Sequence, residues 1–269
     1  MKPRLFHAHW RVGDAVTAWS HPDGIWTSRR LRKGHGPLKG CHYRPLSAIG
    51  MLHALVHPKN LERLEVRTAL AFIVGSVLFV IGSDHQRITD TLSVEVFTIG
   101  SLLYLAGAWW QLVEARLADR HLRRHGLRWE WSGLRCAETQ ALGALLFTVP
   151  PVVAWLWPQA SSPVWLSLEV LPNLIGCILF VTSAAYAVME VGHGRLLVFE
   201  PRHLAWWITV VSGSGCVLFL LAALAGLPRH YPQQMVLNGG LADGATVVGA
   251  FAFVLAGLLT MAECSEDDV

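Results

Sequence analysis

The sequence predicts an all-α polytopic membrane protein. Six transmembrane helices form three tandem hairpins of one orientation, after a short polar N-terminal module. Three observations predict this. Apolar residues make up 53% of the chain and charged ones only 15%. Six apolar runs approach the roughly 20 residues needed to span a hydrocarbon core of about 30 Å: Val66–Ser83, Leu92–Val113, Glu138–Trp157, Trp165–Met189, Leu204–Leu227 and Leu241–Ala262. None has a charge near its middle, where an unpaired ion is costly. Finally, each run carries one copy of a local pattern, glycine–small–apolar–apolar–aromatic.

The pattern reads Gly75-Ser76-Val77-Leu78-Phe79, Gly100-Ser101-Leu102-Leu103-Tyr104, Gly143-Ala144-Leu145-Leu146-Phe147, Gly176-Cys177-Ile178-Leu179-Phe180 and Gly215-Cys216-Val217-Leu218-Phe219. It returns more loosely as Gly249-Ala250-Phe251-Ala252-Phe253. A glutamate (Glu114, Glu190, Glu263) stands fourteen residues after the second glycine of each pair. Such agreement of register is the mark of an internal repeat.

In chain order, residues 1–60 form the polar module. It is basic (Arg29, Arg30, Arg32, Lys33, Lys39, Arg44) and broken by glycine and proline, so that Arg32–Pro37 reads as loop. Leu46–Val56 looks helical but is too short to span, and is expected along the membrane surface before Pro58. Met1 to Arg11 is polar and lacks the apolar core of a signal peptide. The basic cluster is expected to be the positive flank of a cytoplasmic end, with anionic lipid headgroups or nucleic acid as alternative partners. Hairpin 1 is expected at 61–117, a basic linker at 118–137, hairpin 2 at 138–192 and a second linker at 193–203. Hairpin 3 follows at 204–263, and an acidic tail at 264–269.

Arg116, Arg120, Arg123, Arg124, Arg128 and Arg135 crowd the connection between helices two and three; Arg195 and Arg202 follow between four and five. The opposite connections hold only Arg87 and Arg229. This asymmetry predicts both termini in the cytoplasm of a cell with an inner (plasma) membrane. Trp109, Trp110, Trp206 and Trp207 then fall at inner headgroup level, and Trp155, Trp157 and Trp165 at the outer one. With two spans per repeat, all hairpins share one orientation. Small residues spaced by seven (Gly100 and Gly107, Gly176 and Ser183, Gly249 and Ala256) mark expected packing seams.

The stretch Leu70-Ala71-Phe72-Ile73-Val74-Gly75-Ser76-Val77-Leu78-Phe79, followed by Phe97-Thr98-Ile99-Gly100-Ser101-Leu102-Leu103-Tyr104, resembles the YrhK-like membrane domain. That domain is a pair of transmembrane helices of unknown function in bacterial and fungal proteins. The resemblance covers about fifty residues of hairpin 1. Hairpins 2 and 3 share only the glycine-to-aromatic pattern with it. It implies a fold module and carries no catalytic residues.

Chemistry-bearing patterns are few. The five cysteines (Cys41, Cys136, Cys177, Cys216, Cys264) show no CxxC spacing; Cys41, Cys136 and Cys264 are expected to face the cytoplasm, where disulfides are rare. The nearest approach to a metal cluster is His7, His9, His35, Cys41 and His42, residue types that zinc uses but at no common spacing. No histidine lies inside a predicted span, and no Ser-His-Asp order, phosphate loop or HExxH helix occurs. No cofactor and no enzymatic activity are expected.

Two acidic sets remain. Glu114, Glu190 and Glu263 end even-numbered helices, where the dipole disfavours anions. Matching depth predicts structural ion pairs of Glu114 with Arg67, Glu190 with Arg135, and Glu263 with Arg202 or His203. Glu95, Glu169 and Asp243, each 74 residues apart, lie near the outer ends of the even-numbered helices. They are expected to cap those helices, or alternatively to form a cation-attracting ring at an outer mouth. The functional expectation is a non-enzymatic scaffold, sensor or interaction protein in the lipid bilayer, with a homo-oligomer among its expected partners. The alternative is a small-cation or solute transporter or channel.

Overall fold

The computed structural model describes residues 64–84, 88–124, 132–192, 196, 199, 201 and 204–265. Their elements are all helices: α1 Leu64–Gly82, α2 Asp90–Arg124, α3 Ser132–Leu156, α4 Ser162–Val191, α5 Leu204–Ala225 and α6 Gly239–Ser265. All six are long and apolar enough to cross a membrane, and the chain is a multi-pass membrane protein. The polar module 1–60, with His7, His9, His35, Cys41 and His42, lies outside the described residues, as do Arg202 and His203.

The helices run past several expected ends. α2 continues through residues 118–124, where a linker is expected, because no glycine or proline interrupts it before Gly126. α3 starts at Ser132 and takes in Arg135 and Cys136. In α4, Pro172 has no N–H for the Leu168 carbonyl. The preceding turn, Trp165–Val170, is wound as a π-helix, and the Leu171 N–H donates to the Leu166 carbonyl. α3 accommodates Pro150 and Pro151 inside its length. Beside them the Thr98 hydroxyl of α2 lies 3.0 Å from the Pro151 carbonyl.

Each hairpin packs most closely on itself, α1 on α2, α3 on α4, α5 on α6. α2 then packs on α3 and α4 on α5, and α6 returns to α1. The six helices thus close a ring in chain order. At the closing seam a Cβ on Gly257 of α6 would stand 2.5 Å from Ile73 of α1. One continuous apolar core draws residues from all six helices.

The recurring pattern assigns the same three faces in every helix. Its glycines meet in pairs at the hairpin seams. A Cβ on Gly75 would stand 2.8 Å from the Gly100 carbonyl, and one on Gly143 3.0 Å from that of Gly176. One on Gly215 would stand 3.0 Å from the carbonyl of Gly249. Without a hydrophobic drive between helices in lipid, such backbone approach is what lets them associate. The second position (Ser76, Ser101, Ala144, Cys177, Cys216, Ala250) is at most 1% exposed throughout. The third (Val77, Leu102, Leu145, Ile178, Val217, Phe251) is exposed in every copy and gives the bundle its apolar outer surface. The fifth, the aromatic, turns to the axis.

The small residues seven positions after the second glycines also sit at seams. Gly107 lies against Phe72 and Ala71, and Ala256 is buried. The Ser183 hydroxyl lies 2.9 Å from the Cys136 carbonyl across hairpin 2.

Candidate functional site

The axis of the ring is the natural place for a pathway, and six aromatic side chains occupy it. From the odd-numbered helices, Phe79, Phe147 and Phe219 close a triangle, with ring centroids 5.6, 5.5 and 6.0 Å apart. From the even-numbered helices, Tyr104 reaches Phe180 at 5.7 Å and Phe253 at 5.5 Å. The two sets touch, Phe147 on Phe180 at 5.7 Å and Phe219 on Phe253 at 5.2 Å. Two layers follow from helix direction. Counted from glycines held at one depth, the aromatic of an odd helix lies four residues toward one membrane face and that of an even helix four toward the other. These separations are those of packed aromatic pairs.

One member of this plug is polar. The Gln140 amide of α3 donates to the Tyr104 hydroxyl of α2 at 3.2 Å. The Ser183 hydroxyl of α4 lies 2.9 Å from Gln140 Oε1, and the Cys136 thiol lies 3.4 Å from Ser183 Oγ. A buried polar chain therefore ties hairpin 1 to hairpin 2. Sequence reasoning missed it. The available signal was the single tyrosine among six pattern aromatics, since a buried phenol finds a partner. Cys136, expected to face the cytoplasm, is buried at 5% exposure because α3 starts earlier and carries it into the seam. None of Cys136, Cys177 and Cys216 is in a disulfide.

The two acidic sets are placed differently. Glu114, Glu190 and Glu263 are 4%, 0% and 4% exposed, and Glu65 at the start of α1 is 5% exposed. Arg67, expected opposite Glu114, is exposed. Arg135, expected beside Glu190, has Glu138 of its own helix at 3.2 Å. Glu95 is exposed, while Glu169 and Asp243 are half-buried. Glu95 precedes the inward-turned Tyr104 by nine residues, which at about 100° per residue puts it on the opposite face of α2. Glu169 lies within the π turn of α4. Among the described residues no three His, Cys, Asp or Glu side chains gather as a metal-holding group.

Six aromatic rings thus fill the centre where the three hairpins meet. Neither a protein-family model, nor a curated protein, nor a solved structure matches the chain.

Proposed function

We propose that the chain is a non-enzymatic membrane scaffold, sensor or interaction protein, built from three copies of one hairpin. The observation that carries this reading is the aromatic plug: phenyl rings close the axis in one layer, and the one hydroxyl of the other layer, that of Tyr104, is engaged by Gln140. Conduction needs sites that replace an ion's hydration, and a layer of phenyl rings supplies none. The test is reconstitution of the full chain into liposomes with cation and proton flux followed by entrapped dyes. Rates equal to those of empty liposomes are expected. Protein-dependent flux overturns the reading.

A cation-transport reading has one observation in its favour. Glu169 sits in a π turn, and such turns recur at functional sites. In the same flux assay, a protein-dependent rate abolished by Glu169→Gln would establish it.

The basic connections favour both termini in the cytoplasm and an inner-membrane location. Hairpin 1 is proposed as a YrhK-like module on its stretch from Leu70 to Tyr104.

A further inference from the structure

A groove of about 570 Å³ runs down the outside of the ring, between α2 of hairpin 1 and α3 of hairpin 2. Its walls are apolar. Leu102 and Trp109 rise from α2, Leu142 and Leu145 from α3, each about half exposed. Two alanines between them, Ala106 and Ala141, leave the space open.

One end of the groove is charged. Arg116 lines it together with Glu138. The carboxylate of Glu138 is shared, with Arg116 at 4.0 Å and Arg135 at 3.2 Å. The two guanidinium groups are more than half exposed, the carboxylate 31% exposed. Arg120, one turn beyond Arg116, is exposed as well, and Asp119 is the other acid nearby. The charged groups that line the groove itself are the more than half-exposed Arg116 and the less exposed Glu138.

Depth matches chemistry. Gly100 lies ten residues into α2, about 15 Å from its start and so near the mid-plane of a core of about 30 Å. From Leu102 to Arg116 the helix rises about 21 Å, more than the roughly 15 Å of one leaflet's hydrocarbon. The apolar part of the groove therefore spans one leaflet, and the arginine end reaches the level of the phosphates.

We propose that this groove is a binding site for one anionic phospholipid, its acyl chain between Leu102, Trp109, Leu142 and Leu145 and its phosphate on Arg116. Charge complementarity selects this occupant over a second copy of the chain, because an apolar helix seated there would cover the more than half-exposed guanidinium of Arg116 with no anion to meet it. The inference rests on the membrane placement of the six helices and not on the scaffold reading; it stands whichever way the flux assay falls.

The experiment is native mass spectrometry of the full chain in detergent, titrated with dioleoyl phosphatidylglycerol or dioleoyl phosphatidylcholine. The wild-type protein is expected to hold one phosphatidylglycerol about fivefold more strongly, the worth of one well-placed arginine at the headgroup level. Arg116→Gln is expected to remove that preference and Arg116→Lys to keep most of it. Ala106→Phe, which fills the groove, should weaken both lipids while circular dichroism shows unchanged helix content. Equal binding of the two lipids by the wild type overturns the proposal. So does a preference that survives Arg116→Gln, or a wild-type dimer that Ala106→Phe dissolves while lipid adducts persist. Should Ala106→Phe fail to fold, Leu142→Trp at the exposed wall replaces it with the same expected outcome.

Discussion

Tyr104 of α2 accepts a hydrogen bond from Gln140 of α3 at 3.2 Å within a plug that is otherwise phenylalanine. It joins hairpins 1 and 2, as do the contacts of Thr98 with the Pro151 carbonyl and of Thr148 with the Ser101 carbonyl. Tyr104→Phe leaves the Gln140 amide with one partner fewer and is expected to destabilise the protein by about 1 kcal/mol. In the Gln140→Leu background the same change should cost much less. A double-mutant cycle on detergent-solubilised protein, followed by helix content against added SDS, reads the coupling. Additive losses would mean that the bond contributes nothing.

Gly249 and Gly244 lie on the same helix and answer to different forces. A Cβ on Gly249 would stand 2.7 Å from Phe219 and 3.2 Å from the Gly215 carbonyl, whereas one on Gly244 meets nothing within 4 Å. Gly249→Ala should cost about 1–3 kcal/mol through overpacking. Gly244→Ala should be neutral or gain up to about 1 kcal/mol from helix propensity. The same unfolding titration separates them, and equal effects would refute the seam.

Phe219 of α5 and Phe251 of α6 face opposite ways. Phe219 is 2% exposed and touches Phe79, Phe147 and Phe253, while Phe251 is 57% exposed on the outer surface. Phe219→Ala should cost about 3–5 kcal/mol through the cavity it leaves. Phe251→Ala should cost under about 1 kcal/mol, as lipid refills its place and few protein contacts are lost. Comparable losses would contradict the inward and outward assignment.

Cys136, Cys177 and Cys216 are 5%, 0% and 1% exposed, and thiols buried in apolar surroundings are inert. In single-cysteine variants each is expected to resist a maleimide in the folded protein and to react after denaturation. Rapid labelling of the Cys177 variant in folded protein would show that the core opens to solvent.

Glu138 is shared by Arg116 and Arg135 near the surface. Exposed pairs of this kind contribute about 0–1 kcal/mol, so Glu138→Gln should change stability within that range. The difference from wild type should shrink as salt is raised. A loss well beyond this would show the pair to be shielded from solvent.

Sequence alone carried the number of helices, their pairing and the depth of the key residues. Depth follows from counting along a fixed rise, so Gly75 opposite Gly100 and Gly143 opposite Gly176 are legible from spacing alone. Direction around each helix is not. In a soluble protein a polar face announces the outside, but a bilayer is as apolar as a core, and the contrast that marks a face vanishes. Val77 and Phe79 read alike in the sequence, yet one meets lipid and the other the axis. The same ambiguity hid whether Glu95 turns inward. Only the closing of α6 onto α1 decided these directions, because a closed ring leaves each helix one inward side. That closure gathered six separate aromatics into one plug and left the arginine-ended groove between α2 and α3.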